Sequence, residues 1–346
     1  MSQAQFIVSV ALVLVMVGLS LMIGGLGSFW ERKISAWIQD RIGPNRVGPR
    51  GLLQFMADGV KFFFKEDIIP ANVDKVVFVS APLMVLIPAM ITFAVVPLGR
   101  PFIWAGEQLM FQIANLNIGV LYILAMASVG IYGIVFGAWA SNNKYSLMGG
   151  LRASAQMISY ELSLGLSLVA IVLVAGSLSL SDIIAGQTGY WFGVLPKWNV
   201  FCQPLAAITF IIAMFAETNR LPFDLPEAEQ ELVGGYHTEY SSLKFAIFFL
   251  AEYINMFLQS ALAVILFFGG WQFPGLELLP KTLWVSLLSF GVFFLKALAF
   301  MFLYNWVRWT LPRFKYDQLM RIGWKRLLPA TLANVFITAV WLAVTA

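Results

Sequence analysis

The sequence predicts an all-α polytopic membrane protein, on three observations. Only 12% of the 346 residues are charged and 60% are hydrophobic, with a mean hydropathy of +0.81; a soluble domain carries about 25% charged residues. Long uncharged apolar segments recur along the chain, and inside a bilayer each must satisfy its backbone within a helix. The period-two alternation of a membrane barrel is missing from these segments.

Eight segments are long enough to cross about 30 Å of hydrocarbon. They lie at about 6–29, 76–97, 118–140, 154–176, 199–216, 245–268, 282–304 and 327–345. The first is expected to remain as a helix, because no basic residue precedes Arg32 and no small-residue cleavage pattern follows it. Pro82, Pro88 and Pro97 interrupt the second, which should be kinked or broken. The fifth is the shortest and ends at Glu217. The spans form a single membrane domain over 1–346, joined on one side by loops 30–75, 141–153, 217–244 and 305–326. Of the 22 Lys and Arg residues, 18 lie in those loops. The positive-inside rule then puts the loops in the cytoplasm and both termini on the outer side.

Within loop 30–75, Gly43, Pro44, Gly48, Pro49 and Gly51 break any helix, and Arg41, Arg46 and Arg50 decorate the turn. Residues 52–65 then resume a helical pattern. Gln54, Asp58, Lys61 and Lys65 form one polar stripe on an otherwise apolar surface. At about 14 residues this helix is too short to span and should lie in the membrane interface. A rigid cationic rim suits an amphiphile entering from the bilayer. An ordinary positive-inside loop with a surface helix has the same composition.

Charge inside the spans is the most informative feature. Residues 217–240 hold six of the 18 acids, Glu217, Asp224, Glu227, Glu229, Glu231 and Glu239, against the single Arg220. Pro222, Phe223 and Pro226 within that run argue for an ordered segment; His237 beside it reads as a surface-loop residue. Glu161, Glu252 and Lys296 interrupt other spans. Counted from the expected span ends at about 1.5 Å per residue, these three and Glu217 all lie in the cytoplasmic half, leaving the outer halves without charge. Intramembrane ionisable groups usually mark ion or proton pathways. A polar funnel open to one side is the expectation; single hydrogen-bonded carboxyls and a snorkelling lysine are the blander alternative. One cysteine, Cys202, and one histidine exclude an ordinary all-protein zinc, haem or iron–sulfur site. Redox metals, if involved, belong to partners.

Four motifs carry a resemblance: ERK…RIGPNRVGPRGLLQFMAD…KFFFKED at 31–67, LRASAQMISYELSLG at 151–165, AETNRLPFDLPEAEQELVGGYHTEYS at 216–241 with AEY at 251–253, and LPRFKYDQLMRIGWKRLLP at 311–329. With these, essentially the whole chain resembles the quinone-site membrane subunit of bacterial respiratory complex I, the proton-translocating NADH:quinone oxidoreductase. The resemblance implies a subunit of the bacterial inner membrane that forms part of the quinone chamber and couples quinone reduction to proton translocation. It implies a proton pathway of Glu161, Glu217, Asp224, Glu227, Glu229, Glu231, Glu239, Glu252 and Lys296. It places Glu31, Arg32, Arg41, Arg46 and Phe223 near the quinone, and assigns Arg308, Arg313, Lys315, Tyr316, Asp317 and Arg321 to partner docking. Quinone is the substrate, the chain itself binds no metal or other cofactor, and FMN and iron–sulfur clusters sit on partner subunits. Expected partners are the peripheral-arm subunits, small and antiporter-like membrane subunits and lipid, with no nucleic acid. Ser242 departs from the Gly that many relatives carry after EYS.

Three rival readings remain, of which a purely structural anchor leaves the four intramembrane charges unexplained. The membrane subunit of an energy-converting hydrogenase shares this ancestry, although GPNRVGP and NRLPFD fit the complex I type better. A stand-alone proton-coupled transporter needs a midplane site and access to both faces, against the expected charge-free outer half.

Overall fold

The structure, a computed structural model, describes residues 3–345 apart from 105, 192 and 194, and leaves the side chains of 3, 4 and 229 undescribed. Helix α1 (Gln3–Ile38) runs past the expected span end at 29, since nothing between Ser28 and Ile38 breaks a helix. After the Gly/Pro turn comes α2 (Gln54–Phe64), whose Phe63 and Phe64 are exposed. Helix α3 (Lys75–Thr92) is N-capped by Asp74, whose carboxylate accepts the Val76 and Val77 N–H groups at 3.2 and 3.3 Å. It runs unbroken through Pro82 and Pro88 and ends before Pro97. The expected break falls only at the third proline. Each internal proline removes one ladder donor, a local loss that packing in a bundle absorbs.

A hairpin of β1 (Gly99–Trp104) and β2 (Glu107–Phe111) follows, paired Gly99 to Phe111 and Phe102 to Leu109 with a register shift between. Next come α4 (Gly119–Ala140) and α5 (Lys144–Ala175). Helix α5 starts ten residues before the expected span, capped by the Asn143 side chain on the Tyr145 N–H and closed by Gly176 at φ 67°. Short elements α6 (Leu180–Ala185), β3 (Tyr190–Trp191), β4 (Leu195–Pro196) and α7 (Asn199–Cys202) lead into α8 (Pro204–Glu217). At 14 residues, α8 rises only about 21 Å. Among the described residues seven helices are therefore long and apolar enough to cross a membrane, and α8 is the shorter eighth. The acidic loop holds α9 (Glu229–Leu232), and α10 (Ser242–Phe267), α11 (Leu283–Thr310), α12 (Tyr316–Ile322) and α13 (Leu328–Thr345) complete the chain.

Loop contacts define two poles. At one, the Lys244 ammonium pairs with Asp67 at 2.6 Å, the Asn142 amide donates to the Asn72 carbonyl, and the Phe314 N–H donates to the Pro222 carbonyl. At the other, the Ile103 N–H reaches the Lys281 carbonyl and the Gly189 N–H reaches Glu277. Helix α10 is the central column: 78% of its most apolar window is buried, against 17% for the last span.

Candidate functional site

The acidic loop is folded into the bundle. Gly235 sits at φ 63°, where a Cβ would stand 1.7 Å from the Pro226 carbonyl oxygen, so only glycine lets the loop fold back on itself there. The Ser146 hydroxyl on α5 donates to the Tyr236 carbonyl at 2.8 Å, and the Gln156 amide donates to the Ala216 and Phe223 carbonyls at 2.8 and 2.7 Å. Tyr240 stacks on Phe78 with ring centroids 4.1 Å apart.

Arg220, at the head of this loop, is buried at the centre of an alternating row of charges. Its Nη1 donates to Glu31 Oε2 at 2.8 Å, and its Nε lies 2.5 Å from Glu252 Oε1. Arg308 pairs with the other oxygen of Glu31. The Tyr253 hydroxyl donates to Glu31 Oε2 at 2.8 Å, and the Tyr253 ring lies 4.6 Å from the Arg220 guanidinium. The row is therefore Arg308, Glu31, Arg220, Glu252, cation and anion in turn, so each buried charge has an opposite neighbour. Burial alone would lower the proton affinity of Arg220; Glu252 and then Tyr253 outweigh it and hold the guanidinium above its ordinary pKa.

Two clefts flank this row. One, of about 810 Å³, lies between α1, α10 and α11; it is almost wholly apolar and is lined by residues including Trp30, Tyr253, Met256, Phe257, Phe294 and Asn305. The other, of about 700 Å³, lies between α3, α4, α8 and α10 and includes Glu217, Asn219, Tyr236, Glu252, Asn255 and Gln259 in its wall. Glu252 and Tyr253 are adjacent on α10, and each faces a different cleft. Buried Glu217 Oε2 and Gln259 Oε1 have no hydrogen-bond partner among the described residues, an arrangement that calls for water or protons at the acidic cleft.

The remaining candidates fall into groups. Glu161 accepts a hydrogen bond from the Ser128 hydroxyl on α4. Asp224 accepts from Arg313 Nη2 at 2.8 Å; burial and then nearby Glu227 push its pKa up to about 7 against the pull of Arg313. Glu227 accepts from the Tyr236 hydroxyl at 3.3 Å and lies 3.7 Å from His237 Nδ1, so His237 packs inside the loop and is not the surface residue expected. Glu239 accepts from the Asn143 amide at 2.5 Å, and Glu231 pairs with Arg152 at 2.7 Å on the surface. Glu229's side chain lies outside the described residues. Arg32 pairs with Asp58 and so ties α1 to α2. Arg41 and Arg46 are exposed. Phe223 is buried against Tyr160 and Phe314, centroids 5.3 and 5.5 Å away, and lines neither cleft. Arg308 and Arg313 turn inward to acids, whereas Lys315, Tyr316, Asp317 and Arg321 are exposed.

Lys296 departs from its expected depth. Its Nζ donates to the carbonyls of Phe268, Gly270 and Gln272 at 2.8, 3.1 and 2.6 Å, just past the far end of α10. Those groups belong to the pole opposite the acids, so the outer half of the bundle is not free of charge. The sequence does not single out Tyr253 or Ser128, which have no charge to flag them, and it presents Arg220 only as the lone cation of the run.

Fold and site together define a polytopic α-helical membrane protein in which a compensated row of buried charges separates an apolar cleft from an acidic one. A family model described as NADH dehydrogenase matches residues 10–339, and the chain belongs to that family. It is 51% identical over 323 residues, 92% of both chains, to an NADH-quinone oxidoreductase subunit of Cytophaga hutchinsonii. It is 52% identical over 320 residues to NADH-quinone oxidoreductase subunit 8 of Rhodothermus marinus, covering 90% of this chain and 91% of that one. An NADH-quinone oxidoreductase subunit of Geobacter sulfurreducens is 52% identical over 310 residues, covering 90% of this chain and 89% of that one. Among the described residues no cluster of three or more His, Cys, Asp or Glu could hold a metal ion.

Proposed function

We propose that the chain is the membrane subunit of an NADH:quinone oxidoreductase in which quinone meets the protein at the apolar cleft and its reduction is coupled to proton movement at the acidic one. The observation that carries this reading is the row Arg308–Glu31–Arg220–Glu252, which runs between the two clefts. An isoprenoid tail suits the apolar wall of α1, α10 and α11, and Trp30 and Tyr253 supply an aromatic border for a headgroup. A change of charge or hydrogen bonding at Glu31 alters what Arg220 can give to Glu252, so an event at one cleft is felt electrostatically at the other.

The proton path then follows the acidic side, with Glu161, Glu217 and Glu252 in the bundle and Asp224, Glu227, Glu229, Glu231 and Glu239 in the loop at its mouth. Lys296 has no part in this path, because its ammonium is bound to carbonyls at the other pole. Arg32, Arg41 and Arg46 border the quinone entry, and Lys315, Tyr316, Asp317 and Arg321 offer an exposed face to the peripheral subunits that bring electrons. Phe223 supports the loop from its buried place. The lysine and arginine bias puts the acidic pole in the cytoplasm and both termini outside, in a bacterial inner membrane.

The test uses the tagged chain recovered with its partners from membranes in mild detergent. Inhibitor-sensitive electron flow from NADH to a short-chain quinone is expected, and Glu217→Gln should lower quinone reduction and proton uptake together. Hydrogenase activity in place of NADH oxidation, or a chain recovered with no redox partner, would overturn the reading.

A further inference from the structure

At the pole opposite the acids lies a third cleft, of about 500 Å³, which the proposed coupling leaves unused. Its wall includes Arg100, Gln187, Tyr190, Trp198, Trp271 and Glu277. Arg100 is half-buried and Glu277 exposed, and each uses only part of its hydrogen-bonding capacity. Arg100 Nη1 donates to the carbonyls of Leu276 and Leu279 at 2.8 and 3.0 Å, and no described residue takes its Nε or Nη2. Glu277 Oε1 accepts the Gly189 N–H at 3.1 Å, and its Oε2 has no described partner. The Tyr190 hydroxyl accepts the Gly275 N–H at 3.0 Å, which ties the β3–β4 hairpin to the 268–282 loop.

Half-buried Lys296 stands behind the cleft. It binds three carbonyls of the 268–272 turn, and its Nζ lies 4.6 Å from the Trp198 ring centroid. A desolvated lysine this well satisfied is a structural brace, and what it braces is the wall carrying Trp198 and Gln272. Exposed Trp104, Trp191 and Trp284 surround this pole. Such a belt marks the headgroup level of a leaflet. Exposed Leu195, Leu278 and Leu279 lie beside the cleft and offer apolar surface to acyl chains.

We propose that this cleft binds the headgroup of a zwitterionic aminophospholipid, with Arg100 on the phosphate and Glu277 on the primary ammonium. The guanidinium fork suits phosphate oxygens. The free carboxylate oxygen suits a donor N–H, which a quaternary ammonium lacks, and its negative charge disfavours a purely anionic headgroup. The face of Trp198, which could cage a quaternary ammonium, already carries Lys296.

The experiment takes the assembled complex from membranes, exchanges it into nanodiscs of equal phosphatidylethanolamine, phosphatidylcholine and phosphatidylglycerol, re-extracts it and counts retained lipid by mass spectrometry. Phosphatidylethanolamine is expected in excess of the other two. Arg100→Gln should reduce its retention about tenfold, the loss of one charge-assisted hydrogen bond. Glu277→Gln keeps a carbonyl oxygen for the Gly189 N–H, so the turn stays folded while the preference over phosphatidylcholine disappears. Equal retention of all three lipids by the unmodified complex, or an unchanged preference in Glu277→Gln, would overturn the proposal. So would displacement of the lipid by free phosphoethanolamine with no loss in Arg100→Gln, which would assign the cleft to a soluble ligand. None of these readouts depends on quinone reduction, so the result stands apart from the coupling reading.

Discussion

Arg220 and Lys296 are both cations withdrawn from water into the helix bundle, and they are satisfied in opposite ways. Arg220 is held by carboxylates, Glu31 and Glu252, each in a separate helix. Lys296 is held by three backbone carbonyls of one turn. Carbonyl dipoles cannot gain or lose a proton, so they give Lys296 a cradle of fixed charge. Carboxylates can, so the Arg220 row redistributes charge whenever one member is protonated or a ligand takes one of its hydrogen bonds. The acidic pole is thus built for change, and the opposite pole for fixity.

The largest effect expected is at Arg220. Arg220→Met leaves Glu31 and Glu252 buried without their shared cation, a loss of about 3–5 kcal/mol for breaking a buried pair from one side. The assembled complex should melt lower and lose NADH-driven quinone reduction. Wild-type melting of that variant would remove the row as the central element of the site. Lys296→Met should cost less, about 1–3 kcal/mol for carbonyls left without a donor, and should spare the rate of quinone reduction per assembled complex. If Lys296→Met abolished proton uptake while leaving assembly intact, the contrast drawn between the two cations would fail.

Asp224 sharpens the same contrast through pH. It lies in the loop, outside the spans, and its pKa is pushed from 3.8 up to about 7 by burial and by Glu227, with Arg313 and Arg220 opposing. The folded state therefore keeps a proton that the unfolded chain releases. Stability from this group is fully present below about pH 3.8 and is lost as pH rises through about 7. Melting temperature should fall across that window in the wild type, and Asp224→Asn should flatten the slope. An identical slope in the two proteins would exclude Asp224 as the titrating group.

Much of this site is legible in the sequence because charge in an apolar chain has few innocent explanations. Glu217 and Glu252 stand out by sequence alone, and both line the acidic cleft. The helical class is equally plain from uncharged runs too long for anything else. Depth is harder to read. Counting from an expected span end at 304 misplaces Lys296, because α11 continues to Thr310 and the count begins six residues too early. Partners are harder still. The link between Glu31 on α1, Arg220 in the loop and Glu252 on α10 joins residues 189 and 32 positions apart, and no local pattern encodes it. Tyr253 is one phenol among ten Tyr residues, and its place beside Glu252 acquires meaning only once the clefts on either side of α10 are seen.

The smallest effect tests how α10 enters the bundle. Ser242, the first residue of that helix, holds φ at 52°, a conformation that favours glycine. Its hydroxyl lies 2.9 Å from the carbonyls of both Phe62 and Lys65 at the end of α2. Strain and hydrogen bonding thus oppose each other at one residue. Ser242→Gly relieves the strain and loses the hydroxyl, so the two changes, each about 1 kcal/mol, should nearly cancel. Ser242→Ala keeps the strain and still loses the hydroxyl, and should be the less stable by about 1 kcal/mol. Melting in detergent should therefore rank the wild type and Ser242→Gly together, with Ser242→Ala below both. Alanine equal to glycine would mean that the backbone there is not strained, and that the tie between α2 and α10 rests on the hydroxyl alone.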